Sequence, residues 1–144
     1  MKMLLMFAAI IAIGMMAFIY PKADFTNDLE GGIQFHKGTF KEALAQAKAE
    51  NKLVFLDIYA TWCGPCKKLK STTFSNKEVG DFFNKEYINI ALDGEQAEGA
   101  ALAQLYKIKG YPTLLFINTN GEIVKGTSGY HSPNELIELG KSIK

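Results

Sequence analysis

The stretch that most constrains this chain is Leu53-Val54-Phe55-Leu56-Asp57-Ile58-Tyr59, followed after three residues by Cys63-Gly64-Pro65-Cys66. The run is apolar without polar alternation. That pattern predicts a strand buried on both faces, and therefore a sheet covered by helices on each side. Lys67-Lys68-Leu69-Lys70 then reads as a helix. The cysteines fall at this strand-to-helix junction, with Cys63 at the helix N-terminus, where unpaired N–H groups and the helix dipole favour an anion. A thiolate is such an anion, and a lowered thiol pKa makes it a nucleophile at neutral pH. Cys63 is expected to be the exposed attacking sulfur. Cys66, one turn inward, can attack whatever forms on Cys63, which is the geometry of dithiol–disulfide exchange.

These are the only 2 cysteines in 144 residues. A zinc site needs about four ligands, and the remaining candidates, His36 and His131, are far apart and unpatterned. No metal and no cofactor beyond the cysteine pair is expected. A purely structural disulfide would close a very short loop and constrain the unfolded chain little. Asp57 is the anomaly of the strand: a buried carboxylate costs several kcal/mol unless it is paired or protonated. Trp62, beside Cys63, offers a flat apolar platform for a partner. Gly64 allows close backbone approach, and Pro65 fixes φ at the start of the helix.

Capping signals divide the rest of the chain. Thr39 with Glu42, Ser75 with Glu78, and Ser132-Pro133-Asn134-Glu135 each predict a helix start. Ile33-Gln34-Phe35 reads as a short edge strand and Tyr87–Leu92 as a buried one. Ala100–Tyr106 reads as a helix with Leu102, Leu105 and Tyr106 inward. Leu114–Asn118 and Glu122–Lys125, joined by Thr119-Asn120-Gly121, form a predicted hairpin.

Met3–Tyr20 is almost unbroken apolar sequence behind Lys2. It reads as a signal peptide or an uncleaved signal anchor, close to the lower limit for spanning a bilayer. Small-residue pairs suited to cleavage are poor at its end, which favours an apolar helix kept as an anchor, with the domain on the periplasmic side. If the segment is cleaved, the protein is secreted to the periplasm. Residues 21–32 read as a polar linker and residues 33–144 as the folded domain. A net charge of +1 gives no pull toward nucleic acid.

Asp57-Ile58-Tyr59-Ala60-Thr61-Trp62-Cys63-Gly64-Pro65-Cys66-Lys67 resembles the active-site segment of the thioredoxin family. Gly110-Tyr111-Pro112-Thr113 matches that family's second motif, at the expected distance and before an apolar strand. The resemblance covers roughly Ile33 to Lys144. Lys52 and Thr73-Phe74-Ser75 are similar to the periplasmic thioredoxin-like branch, which includes the soluble redox domain of thiol–disulfide interchange proteins. The implied fold is α/β, a mixed central sheet with helices on both faces. The resemblance also implies a proton-transfer role for Asp57 beneath Cys66 and a cis Pro112 facing the disulfide. It implies that the Tyr111 backbone pairs with an extended substrate and that Gly129 lies near the active site. A lysine that often tunes the family's aspartate is replaced, by alignment, with Asn89.

The implied activity is thiol–disulfide exchange on disulfide-containing protein substrates, fed by an upstream electron-donor protein in the membrane. Gly64-Pro65 adds no charge between the cysteines, so the Cys63 thiol is expected about one to two units below free cysteine, which favours a reductant. The rival class is a non-catalytic, membrane-tethered interaction module whose cysteines stay locked.

Overall fold

The computed structural model describes residues 29–143, so the apolar run Met3–Tyr20 and its expected helix lie outside the described residues. Ten elements follow in order: α1 (Phe40–Glu50), β1 (Leu53–Tyr59), α2 (Gly64–Lys68), a π-helical segment (Leu69–Phe74), α3 (Lys77–Glu86), β2 (Tyr87–Asp93), α4 (Ala97–Leu105), β3 (Thr113–Ile117), β4 (Ile123–Ser128) and α5 (Pro133–Lys141). The strands form a four-stranded sheet in the order β2-β1-β3-β4. β1 pairs parallel with β2 and antiparallel with β3, and β3 pairs antiparallel with β4. This is the mixed sheet with helices that the resemblance implied. Among the described residues, no helix is long and apolar enough to cross a membrane.

β1 is interior, and its period of two splits its side chains between two cores. Val54, Leu56 and Ile58 enter one core with Phe40, Ala43 and Ala47 of α1 and Leu102 of α4. Phe55 enters the other, with Leu69, Val79, Phe83, Phe116 and Leu136. The Phe55 ring meets Phe83 at 4.8 Å and Phe116 at 5.2 Å between centroids. Asp57 shares the parity of Phe55, so its carboxyl points to that same side.

The helix starts follow the caps. Thr39 Oγ1 accepts the Glu42 N–H while Glu42 Oε2 accepts the Thr39 N–H at 2.6 Å, and Ser132 and Glu135 repeat the device at α5. At α3 the cap is Asn76, not Ser75: Asn76 Oδ1 accepts the N–H groups of Glu78 and Val79, while Ser75 Oγ donates to the Ser71 carbonyl. The helix after the cysteines widens into a π-helical segment. There Ser71 and Thr72 hydroxyls both bond the Lys68 carbonyl, competing with its backbone partner.

Two further expectations are corrected. Ile33–Phe35 is not a strand. Gln34 N–H goes to the Asn84 side chain and only His36 N–H reaches β2, at Asn89 O, so no ladder forms. α4 begins at Ala97 and packs Gly99 against the Asp93 backbone, so Leu102, Ala103 and Tyr106 face inward and Leu105 is left outward at 67% exposure. Asn89 pairs with Phe55 and donates to the Phe83 carbonyl, and Ala91 pairs with Asp57.

Candidate active site

The topology gathers four chain segments at one end of the sheet. β1 and β2 are parallel and both end there. β3, antiparallel to β1, begins there, and β4 ends there. Across that end, the order is therefore Asp93–Glu95 after β2, the cysteines after β1, Pro112 before β3, and Gly129–His131 after β4.

Cys63 and Cys66 are joined in a disulfide with their Cα atoms 5.2 Å apart. Cys63 is the N-cap of α2, and its Sγ accepts the Cys66 N–H at 3.1 Å. Pro65 stands in the first turn, where its missing N–H costs nothing. Cys63 is 3% exposed and Cys66 1%, so exposure does not separate them as the sequence suggested. What distinguishes Cys63 is the N–H aimed at its sulfur, a contact that favours charge on that sulfur and not on Cys66. Gly64 is exposed, with nothing near the position a side chain would take.

Trp62 is 66% exposed, which excludes ordinary core packing. Its Nε1 donates to Glu95 Oε2 at 3.0 Å, and its ring meets the Tyr111 ring edge-on at 6.1 Å. Glu95 N–H in turn bonds Asp93 Oδ1 at 2.9 Å, fixing the turn that presents the carboxylate. Gly94 is required here. A Cβ at this position would meet Tyr111 Cε1 at 2.5 Å, so only glycine lets the tyrosine ring lie against the turn. Burial, with Glu95 and Asp93 nearby, raises the Tyr111 hydroxyl above its usual pKa.

The peptide bond before Pro112 is cis, and Pro112 O accepts the Gly129 N–H at 2.9 Å. Gly129 has φ 86, a left-handed conformation that glycine adopts without steric cost. The next two residues are tied to the helix that starts at the cysteines. Tyr130 OH lies 3.1 Å from Thr72 Oγ1, and the Lys68 ammonium sits 4.3 Å from the Tyr130 ring centre. Thr73, fully buried, donates to the His131 carbonyl at 2.6 Å. His131 Nδ1 is 3.1 Å from Gly129 O, so that nitrogen carries a proton, and Nε2 lies 3.2 Å from the Thr127 hydroxyl.

Asp57 is 2% exposed, and its Oδ1 has no hydrogen-bond partner. Burial pushes its pKa from 3.8 up to about 8. Ala91, opposite Asp57 in the sheet, packs against the cluster of Tyr59, Ala60, Cys63 and Cys66. The structure thus brings Trp62, Cys63, Cys66, Tyr111, Pro112 and Gly129 to one surface, with Asp57 buried in β1 opposite the Ala91 that packs against the cysteines. Glu95, Gly94 and Thr72 escaped the sequence reading, while Lys68 was read only as part of a helix and Thr73 only as a marker of the resembling branch. The one signal for Glu95 was Asp93-Gly94-Glu95 directly after a buried strand.

A dithiol–disulfide pair capping a helix beside a cis-proline loop, on a mixed sheet of this order, defines a thioredoxin-type thiol–disulfide oxidoreductase. The chain belongs to the thioredoxin-like domain family, whose model matches residues 40–144. It is 35% identical over 107 residues to the thiol:disulfide interchange protein DsbD of Pseudoalteromonas atlantica, covering 72% of this chain but only 18% of that protein. Among solved structures, it matches a candidate disulphide-isomerase from Bacteroides thetaiotaomicron at 42% identity and TM-score 0.67, over 78% of this chain and 96% of that one. It also matches the DsbD C-terminal domain of Neisseria meningitidis in the oxidised form. There the identity is 26% and the TM-score 0.61, over 72% of this chain and 92% of that one.

Proposed function

We propose that this oxidoreductase reduces protein disulfides outside the cytoplasm, held at the membrane by Met3–Tyr20 and recharged by an electron-donor protein. The observations that carry the reading are the Cys63–Cys66 pair and the buried Asp57 carboxyl, whose Oδ1 has no hydrogen-bond partner.

The chemistry follows from the two sulfurs. In the reduced form, the Cys63 thiolate, favoured by the Cys66 N–H, attacks a substrate disulfide. One substrate sulfur leaves as a thiolate, and the other stays bonded to Cys63. Asp57 takes the Cys66 proton; a base is most effective when its pKa lies near the working pH. Cys66 then attacks Cys63 Sγ, the substrate's second sulfur leaves, and two electrons have passed to the substrate. Trp62, Gly64, Pro65, Tyr111, Pro112 and Gly129 form the docking surface, with the Tyr111 backbone pairing to an extended substrate segment.

The reductant direction rests on Gly64 and Pro65, which set no charge or donor side chain between the cysteines. The attacking thiol then keeps a moderate pKa, leaves its disulfide less readily, and makes the oxidised form comparatively stable. Location outside the cytoplasm rests on the N-terminal apolar run and on the similarity to the interchange proteins.

The test is dithiol-driven insulin reduction by the full chain, with equilibration in glutathione buffers. Turnover and a potential well below that of glutathione support the reading. Absence of turnover removes the exchange activity, and a strongly oxidising potential removes the reductant direction.

A further inference from the structure

The disulfide sits between two rims of opposite charge. At the β2 end, Glu95 is exposed and holds the Trp62 indole, with Asp93 bonded behind it. At the β4 end, Lys68 lies over Tyr130, and exposed Lys67 precedes it on the same helix. Glu135 is the one carboxylate felt by Tyr130, and it is tied to the Ser132 N–H and hydroxyl at 2.7 Å each. Each rim is held by contacts that keep its charge at the edge of the site. Glu95 is fixed by the indole and Lys68 by the tyrosine face, so neither side chain is a loose surface charge.

We infer that this docking surface is polarised and selects extended segments carrying a basic residue on the flank of the reactive cysteine toward Glu95 and an acidic residue on the flank toward Lys68. The inference rests on the exchange activity proposed above. A segment paired to the Tyr111 backbone has a fixed chain direction, so the order of its two charges matters. Opposite charges about 6 Å apart in water at about 0.1 M salt change a rate about twofold per pair. Matched order makes two attractions and reversed order two repulsions, which separates them about tenfold.

The experiment uses the reduced full chain and three peptides, each with one cysteine disulfide-linked to a chromogenic aryl thiol. Their flanking residues are Lys then Glu, Glu then Lys, or Gln on both sides. The two charged orders are expected to differ about tenfold in reduction rate at about 0.1 M salt, and to converge at about 1 M, where screening shortens to about 3 Å. The double variant Glu95→Gln with Lys68→Gln, which removes both rim charges, is expected to bring the ratio near one. The salt series on the unmodified protein gives the answer even if that variant folds poorly. Equal rates for the charged orders at low salt, with the Gln peptide still reduced, overturn the polarity alone. A ratio that persists in high salt or in the folded double variant also overturns it. Failure to reduce the Gln peptide overturns the exchange activity and this inference with it.

Discussion

Replacing Asp57 with Asn should flatten the pH dependence of stability. Burial raises the carboxyl from 3.8 to about 8, while in the unfolded chain it titrates near the ordinary value. Between those values the folded protein holds a proton that the unfolded chain has lost. The carboxyl's favourable contribution is therefore complete below about pH 4, declines as pH rises, and is lost above about pH 8. At about 1.4 kcal/mol per pKa unit, roughly 4 kcal/mol is already gone at pH 7. That is a large share of the 5–15 kcal/mol that stabilises a typical domain. Asn keeps the shape and does not titrate, and whatever its amide costs is the same at every pH. The slope with pH is thus the readout, not the absolute stability.

The assay is urea unfolding of the oxidised protein by circular dichroism at pH 5, 6, 7 and 8. The oxidised form is chosen because disulfide-bonded cysteines do not titrate. Wild type should lose about 4 kcal/mol more than Asp57→Asn across this range. Parallel curves would refute the burial argument and, with it, a carboxyl poised near neutral pH as the Cys66 base. If the argument holds, resolution of a trapped mixed disulfide should quicken up to about pH 8 in wild type and lose that step in the variant.

Other substitutions separate the parts of the site. Cys63→Ser should abolish exchange while Cys66→Ser accumulates mixed disulfides on non-reducing gels, and equal trapping by both would reverse the assigned roles. Thr73→Val removes the buried bond to the His131 carbonyl and should cost about 1–3 kcal/mol in urea unfolding, with faster amide exchange at Gly129–His131. If Met3–Tyr20 is retained, the protein should resist carbonate extraction from membranes; a soluble form lacking the run would identify a cleaved signal peptide.

What the sequence made legible was local. Leu53–Tyr59 is one apolar run because β1 is flanked by β2 and β3 and packed by helices on both sides, and nothing else in the chain needs to be known to read it. Thr39–Glu42 and Ser132–Glu135 are closed by residues three apart, so their caps are visible in the letters. Ser75-Asn76 offered two adjacent capping residues, and the choice fell to Asn76 because Ser75 had already spent its hydroxyl on the π-helical segment. Leu105 was misjudged for a related reason. Its helix is seated by Gly99 against the Asp93 backbone, a contact its apolar content does not show, so the inward stripe is Leu102, Ala103 and Tyr106.

The rims of the site were illegible because their bonds join distant residues. Trp62 and Glu95 are 33 positions apart, and Thr73 and His131 are 58 apart. No periodicity links either pair; they meet only because β1, β2 and β4 end at one side of the sheet while β3 begins there. The cysteines could be read as chemistry from two letters and their spacing, since reactivity depends on a helix end and a neighbour three residues on. Substrate choice depends on which charged side chains the topology brings to that helix end. A protein with the same Cys-Gly-Pro-Cys run and the same strands, but with Glu95 or Lys68 changed, would keep the exchange chemistry and lose the charge order that selects what it reduces.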